Sequence, residues 1–110
     1  MRVMDKTARF DVLVRLAERE GDIDVLNRRA VDSYIERTGA SWKAMPYGAD
    51  KCPQMGRDLS EMEREGLLER ARVGIEGLAG MGFPKWVWVY RLTDQGRDRL
   101  AYLDSKERYD

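Results

Sequence analysis

Lys43, Lys51 and Arg57 stand in one short stretch against a single acid, Asp50. A second stretch sets Arg70, Arg72, Lys85 and Arg91 against Glu76. Between them lies an acidic run, Asp58, Glu61, Glu63, Glu65 and Glu69, relieved only by Arg64. The cations of the two flanking stretches do one kind of chemistry well: they donate charged hydrogen bonds to anions, phosphate above all. Few other chemistries are open. The chain has no histidine and one cysteine, Cys52. The usual general base and metal ligand is therefore missing, and no cysteine pair can hold zinc. No P-loop or dinucleotide fingerprint occurs; the glycine-rich GIEGLAGMG lies between strand-like runs, not ahead of a helix. Carboxylates are abundant but form no recognisable constellation. These features point away from an enzyme and imply no cofactor and no metal.

The chain has 110 residues, with 36% charged and 43% apolar side chains, the balance of a globular domain with a core of its own. The expected organisation is one domain over residues 1–104 and a polar tail over 105–110. Twenty basic and 20 acidic residues give a net charge of zero. That argues against indiscriminate polyanion binding and leaves room for a local basic face. Cys52 has no internal disulfide partner, which fits a reducing compartment. No stretch approaches a membrane span, and the start, MRVMDKTARFDVL, holds no uninterrupted apolar run, so no leader is expected. The expected location is cytoplasmic.

Periodicity supplies the elements that must position the cations. Ala8, Val12, Leu13 and Leu16 follow helical spacing up to Gly21, and Val31, Tyr34 and Ile35 mark a second helix up to Gly39. Residues 40–51, with Pro46 and Gly48, have no period and read as a long loop. Met55, Leu59 and Met62 share one face of a third helix, with Pro53 at its first turn, Asp50 as the expected cap and Gly66 as its stop. Leu68 to Val73 alternate as a strand. A glycine-rich connection leads to a second strand in which Trp86, Trp88, Tyr90 and Leu92 share a face. Thr93 is placed to cap a last helix.

Two phrases then carry a resemblance. LSEMEREGLLERAR and YRLTDQGRDRL, which with the stretch that joins them span residues 59–100, resemble the end of the groove helix and the return of the wing in winged helix-turn-helix regulators of the MarR and PadR type. The resemblance implies an α+β, mostly α fold: three helices, a β-hairpin wing and a C-terminal helix. It also implies a transcriptional regulator bound to double-stranded DNA as a homodimer, with the first and last helices at the dimer contact. The recognition helix would be residues 52–65, entering the major groove with its N-terminal half, and the wing, about 73–85, would touch backbone or minor groove. On this chain the candidates to reach bases are then Lys51, Gln54, Arg57 and Asp58, with Arg57 suited to guanine and Gln54 to adenine. Lys43 and Lys51 suit phosphates, Arg72 and Lys85 suit the wing contact, and Tyr47 joins the set from the loop. The loop is longer than the usual turn of such folds, and the acidic run must face away from phosphates.

Simpler readings stand beside these. The Trp86–Leu92 face is assigned to the core in preference to a stacking platform, and Val87 and Val89 present a second apolar face that a partner subunit would cover. Trp42, Met45 and Tyr47 either fold the loop back onto the domain or form a recognition feature. Cys52 reads as a small hydrophobe rather than a redox centre. Arg28 and Arg29 are secondary phosphate candidates. The alternative function is a protein-interaction module, such as a small phage or plasmid protein docking on host machinery; a replication or partition accessory ranks below it.

Overall fold

The computed structural model describes residues 4–46, 49–75 and 85–109. Its elements follow the order expected from the sequence: α1 (Lys6–Glu20), α2 (Arg28–Thr38), α3 (Pro53–Arg64), β1 (Leu68–Gly74), β2 (Trp86–Leu92) and α4 (Asp94–Tyr109). The domain is α+β and mostly helical.

Local chemistry sets each boundary. Asp5 caps α1, its carboxylate accepting from the Ala8 N–H at 2.9 Å, and Asn27 caps α2 through Ala30 at 3.2 Å. Both helices end at glycines, Gly21 and Gly39. The cap of α3 differs from expectation. Its N-cap residue is Cys52, with no side-chain cap bond, and Pro53 opens the helix where a missing N–H costs nothing. Asp50 instead accepts from the Met45 N–H inside the loop.

Helices α1, α2 and α3 enclose the core. Leu13, Val14, Ile23, Tyr34, Met55, Leu59 and Met62 are fully buried, and large apolar side chains of this kind each contribute roughly 1.5–3 kcal/mol. Gly66, at φ 86°, turns the chain so sharply that Leu68 enters the core at once. The strands pair antiparallel, with Leu68 opposite Leu92, Arg70 opposite Tyr90 and Arg72 opposite Trp88. Ile23 bridges to the far side of Tyr90, donating and accepting at 2.9 and 2.8 Å, and so ties the hairpin base to the segment after α1. α4 packs on α1 through Arg99 with Asp11 and Arg15 with Asp104 and Glu107. Those pairs accompany a helix that continues to Tyr109, through residues expected as a polar tail.

Two expectations need correction. The aromatic face of β2 is core only at its base: Tyr90 and Leu92 are buried, Trp88 is half-buried against the core edge, and Trp86 is 40% exposed. The outer half of the hairpin extends past the helices, so the rings find arginines instead of a core. The Arg70 guanidinium lies 4.1 Å from the Trp88 ring and that of Arg72 lies 5.1 Å from Trp86. The other face holds half-buried Val87 and Val89 with exposed Ala71 and Val73. Of the two readings of the loop, folding back onto the domain is not made by Trp42 or Met45. Trp42 is 53% exposed and Met45 is also exposed, while Ala40, Ala49 and Cys52 are buried and anchor the segment. Tyr47, Phe83 and Pro84 lie outside the described residues.

Gly56 sits in the first half of α3, and a methyl group there would meet only Val25 Cγ1, at 3.8 Å. Gly56→Ala should therefore gain the helix propensity that glycine forfeits and raise stability by about 0.5–1 kcal/mol, read as a higher midpoint of urea unfolding.

Candidate nucleic-acid interface

The two sides of α3 carry opposite chemistry. Met55, Leu59, Met62 and Asp58 point inward. Pro53, Arg57 and Arg64 are exposed along the outward stripe, with Ser60 half-buried between the arginines. Seven residues separate Arg57 from Arg64, about 10.5 Å along a helix. Arg64 was not among the candidates read from the sequence, although its spacing from Arg57 was visible there.

The acids of α3 turn away from this stripe. Glu61 pairs with Lys6 of α1, and Glu63 lies 3.9 Å from Arg70 of β1. Asp58 is a correction to the base-reading set. It is 1% exposed and accepts four hydrogen bonds, which fill both of its oxygens. Oδ2 receives Arg9 Nε at 2.8 Å and the Tyr34 hydroxyl at 2.6 Å; Oδ1 receives Gln54 Nε2 at 2.9 Å and Arg9 Nη2 at 3.3 Å. The Asp58 hydrogen bond holds the Arg9 guanidinium above its ordinary pKa. Burial first, then the bond to Asp58, pushes the Tyr34 phenol far up. Asp58 joins α1, α2 and α3 and is not free to meet a base.

Gln54 is half-buried and engaged at both ends, donating to Asp58 and accepting from Arg57 Nη2 at 3.1 Å. That arrangement withdraws it from the adenine-reading role. Arg57 remains exposed. On the approach to α3, Lys43 and Lys51 exchange two backbone hydrogen bonds of 2.8 Å. Directly opposed residues in such a bridge project to one side, so the two lysine side chains leave the loop on the same side. Among the described residues no carboxylate pairs with Lys43, Lys51, Arg57, Arg64, Arg72 or Lys85, whereas Arg9, Arg15, Arg70, Arg91 and Arg99 each have at least one. Arg29 of α2 is drawn to Glu20, which weakens it as a phosphate candidate, while Arg28 has no carboxylate partner among the described residues. Arg72 and Lys85 are both exposed on the hairpin.

Burial raises the pKa of the Cys52 thiol, against a smaller opposite pull from the backbone of Met55 and Gln54. A buried, protonated thiol is a poor nucleophile, and Cys52 serves as a small apolar anchor of the loop. Two open clefts, of about 630 and 390 Å³, flank α1. Their charged rims are largely self-paired, Asp22 with Arg91 and Asp11 with Arg99, so few free polar groups converge on a ligand there. No helix among the described residues is long and apolar enough to cross a membrane.

Comparison of the chain with protein-family models, curated proteins and solved structures returns no match.

Proposed function

We propose that the chain is a winged-helix DNA-binding protein that lays the outward stripe of α3 in the major groove of duplex DNA and acts as a transcriptional regulator. The observation that carries this reading is the sorting of charge on α3. Asp58 is buried, Glu61 and Glu63 on the flanks are paired with Lys6 and Arg70, and among the described residues Arg57 and Arg64 stand outward without a carboxylate partner. Zero net charge thus coexists with a basic working face. Arg57 reads a base edge, Arg64, Lys43 and Lys51 hold phosphates, and Arg72 and Lys85 bring the hairpin onto the backbone or minor groove. The protein acts as a homodimer through the exposed side of α4, where Tyr102 stands out, together with α1.

The test is a gel-shift titration on a promoter fragment from the gene's own neighbourhood, repeated over a salt series. The wild-type protein should bind with a log–log salt slope of about −0.9 for each phosphate neutralised. Arg57→Ala should lose about 5- to 150-fold in specific affinity, equivalent to 1–3 kcal/mol. Absence of wild-type binding at low salt sinks the reading.

The exposed Trp42 and Met45 favour a second reading, a protein-interaction module. Co-purification of a stoichiometric protein partner, lost in Trp42→Ala and accompanied by no DNA affinity, would select it.

A further inference from the structure

Gln54 has no choice of orientation. Asp58 is a carboxylate that only accepts, so the Gln54 amide must turn its NH2 inward, to Oδ1 at 2.9 Å. Its carbonyl then faces Arg57, a guanidinium that only donates, at 3.1 Å. A flipped amide would oppose both neighbours. Asp58 is in turn gripped from two other helices, by Arg9 of α1 and Tyr34 of α2. A continuous chain of hydrogen bonds therefore runs from the buried core to one exposed side chain on the outward stripe.

We propose that Asp58 and Gln54 are positioning residues that hold the Arg57 guanidinium as a fork for guanine; this rests on the DNA-binding reading of the same face. One Nη2–H is spent on Gln54, and the remaining N–H groups can donate in pairs to guanine O6 and N7. Arginine is a long, rotamer-rich side chain, so fixing it before binding reduces the entropy lost when a base is met. Gln54 then raises affinity only where the guanine is present, and so contributes discrimination, while adding nothing on unselected duplex because it touches no nucleic acid itself. Asp58, the most deeply buried acid of α3, acts on the surface through a single amide.

Gln54→Met tests this, since it removes both hydrogen bonds while keeping length and helix propensity; Gln54→Ala gives the same comparison if thermal melting finds the first variant unfolded. In the free protein, nitrogen relaxation at the Arg57 Nε–H should show an ordered side chain that becomes mobile in the variant. Equal mobility in both proteins overturns the proposal whatever DNA does. For binding, a preferred duplex is selected from a random pool, and each guanine in it is replaced in turn. The wild-type protein should lose roughly 10-fold or more at one guanine. The variant should lose less than about 3-fold there, with affinity for unselected duplex kept within about 2-fold. Full discrimination by the variant overturns the proposal. An ordered Arg57 in a protein that selects no duplex means that the DNA-binding reading has failed, and the guanine role with it.

Discussion

Asp58→Ala should destabilise the fold by about 3–5 kcal/mol, the range for removing one partner of a buried ion pair. That is a large share of the roughly 5–15 kcal/mol that holds a domain together. The loss has two sources. The Arg9 guanidinium, only 15% exposed, would keep its charge without a carboxylate, and the buried Tyr34 hydroxyl would lose its acceptor. A second substitution separates these effects from a lost contact. Adding Arg9→Met to Asp58→Ala removes the stranded charge, so the double variant should be more stable than Asp58→Ala alone. Urea unfolding of the single and double variants measures the difference. Tyr34→Phe should cost only about 1 kcal/mol, because Asp58 retains three donors. The same tyrosine predicts a pH dependence. Its phenol is shifted well above the ordinary value of 10.0. The folded state therefore holds a proton that the unfolded chain has released at alkaline pH. Its contribution is complete below about pH 10 and is lost as the pH rises beyond that. Tyr34→Phe should flatten the alkaline limb of the stability profile.

The Asp58 cluster also shows where reading from sequence stops. Helical periodicity placed Met55, Leu59 and Met62 on the buried face of α3, and they are there. Asp58 falls near that same buried face, but its partner Arg9 is 49 residues away. Local spacing cannot show such a pairing, so an acid beside two candidate base readers reads as exposed. The hairpin has a similar limit. Alternation showed that Trp86, Trp88, Tyr90 and Leu92 share a face, and the register agrees. Alternation carries no information on how far the strands extend past the helices, which decides that Tyr90 is buried and Trp86 is not. In the 40–51 loop, Pro46 and Gly48 removed any period, so the Lys43–Lys51 bridge had no local signature. It is set by backbone pairing across the loop, with Ala49 and Cys52 buried beneath. Elements with a repeating apolar pattern were legible; long-range polar contacts and the reach of the sheet were not.

Gly96→Ala should be strongly destabilising. A Cβ at Gly96 would lie 2.2 Å from the Leu67 carbonyl oxygen and 2.9 Å from Leu92 Cδ2. The first of these is backbone and is pinned on every side. The Leu67 carbonyl accepts from the Thr93 N–H, and the Leu67 N–H donates to Met62 at 2.9 Å. The Thr93 hydroxyl donates to the Gly66 carbonyl and accepts from the Gly96 N–H at 3.0 Å. The start of α4 is thus stitched to the corner between α3 and β1, and only a residue without a side chain lets it come so close. Neither side can yield without breaking these bonds, so the cost should reach or exceed the top of the roughly 1–3 kcal/mol typical of overpacking. At about 3 kcal/mol, thermal unfolding would shift down by roughly 10–20 °C. Gly74→Ala is the control, since a methyl group there meets nothing within 4 Å and should leave the midpoint nearly unchanged. A Gly96→Ala variant that melts with the wild-type protein would mean that α4 does not approach this corner so closely. A variant that folds but melts early has a further use. Because α4 is stitched to the turn that ends α3, its displacement should disturb the base of the hairpin at Leu92 before it reaches Arg57. On the proposed DNA-binding reading, hairpin contacts from Arg72 and Lys85 would then weaken first, which a reduced salt slope with retained base preference would reveal.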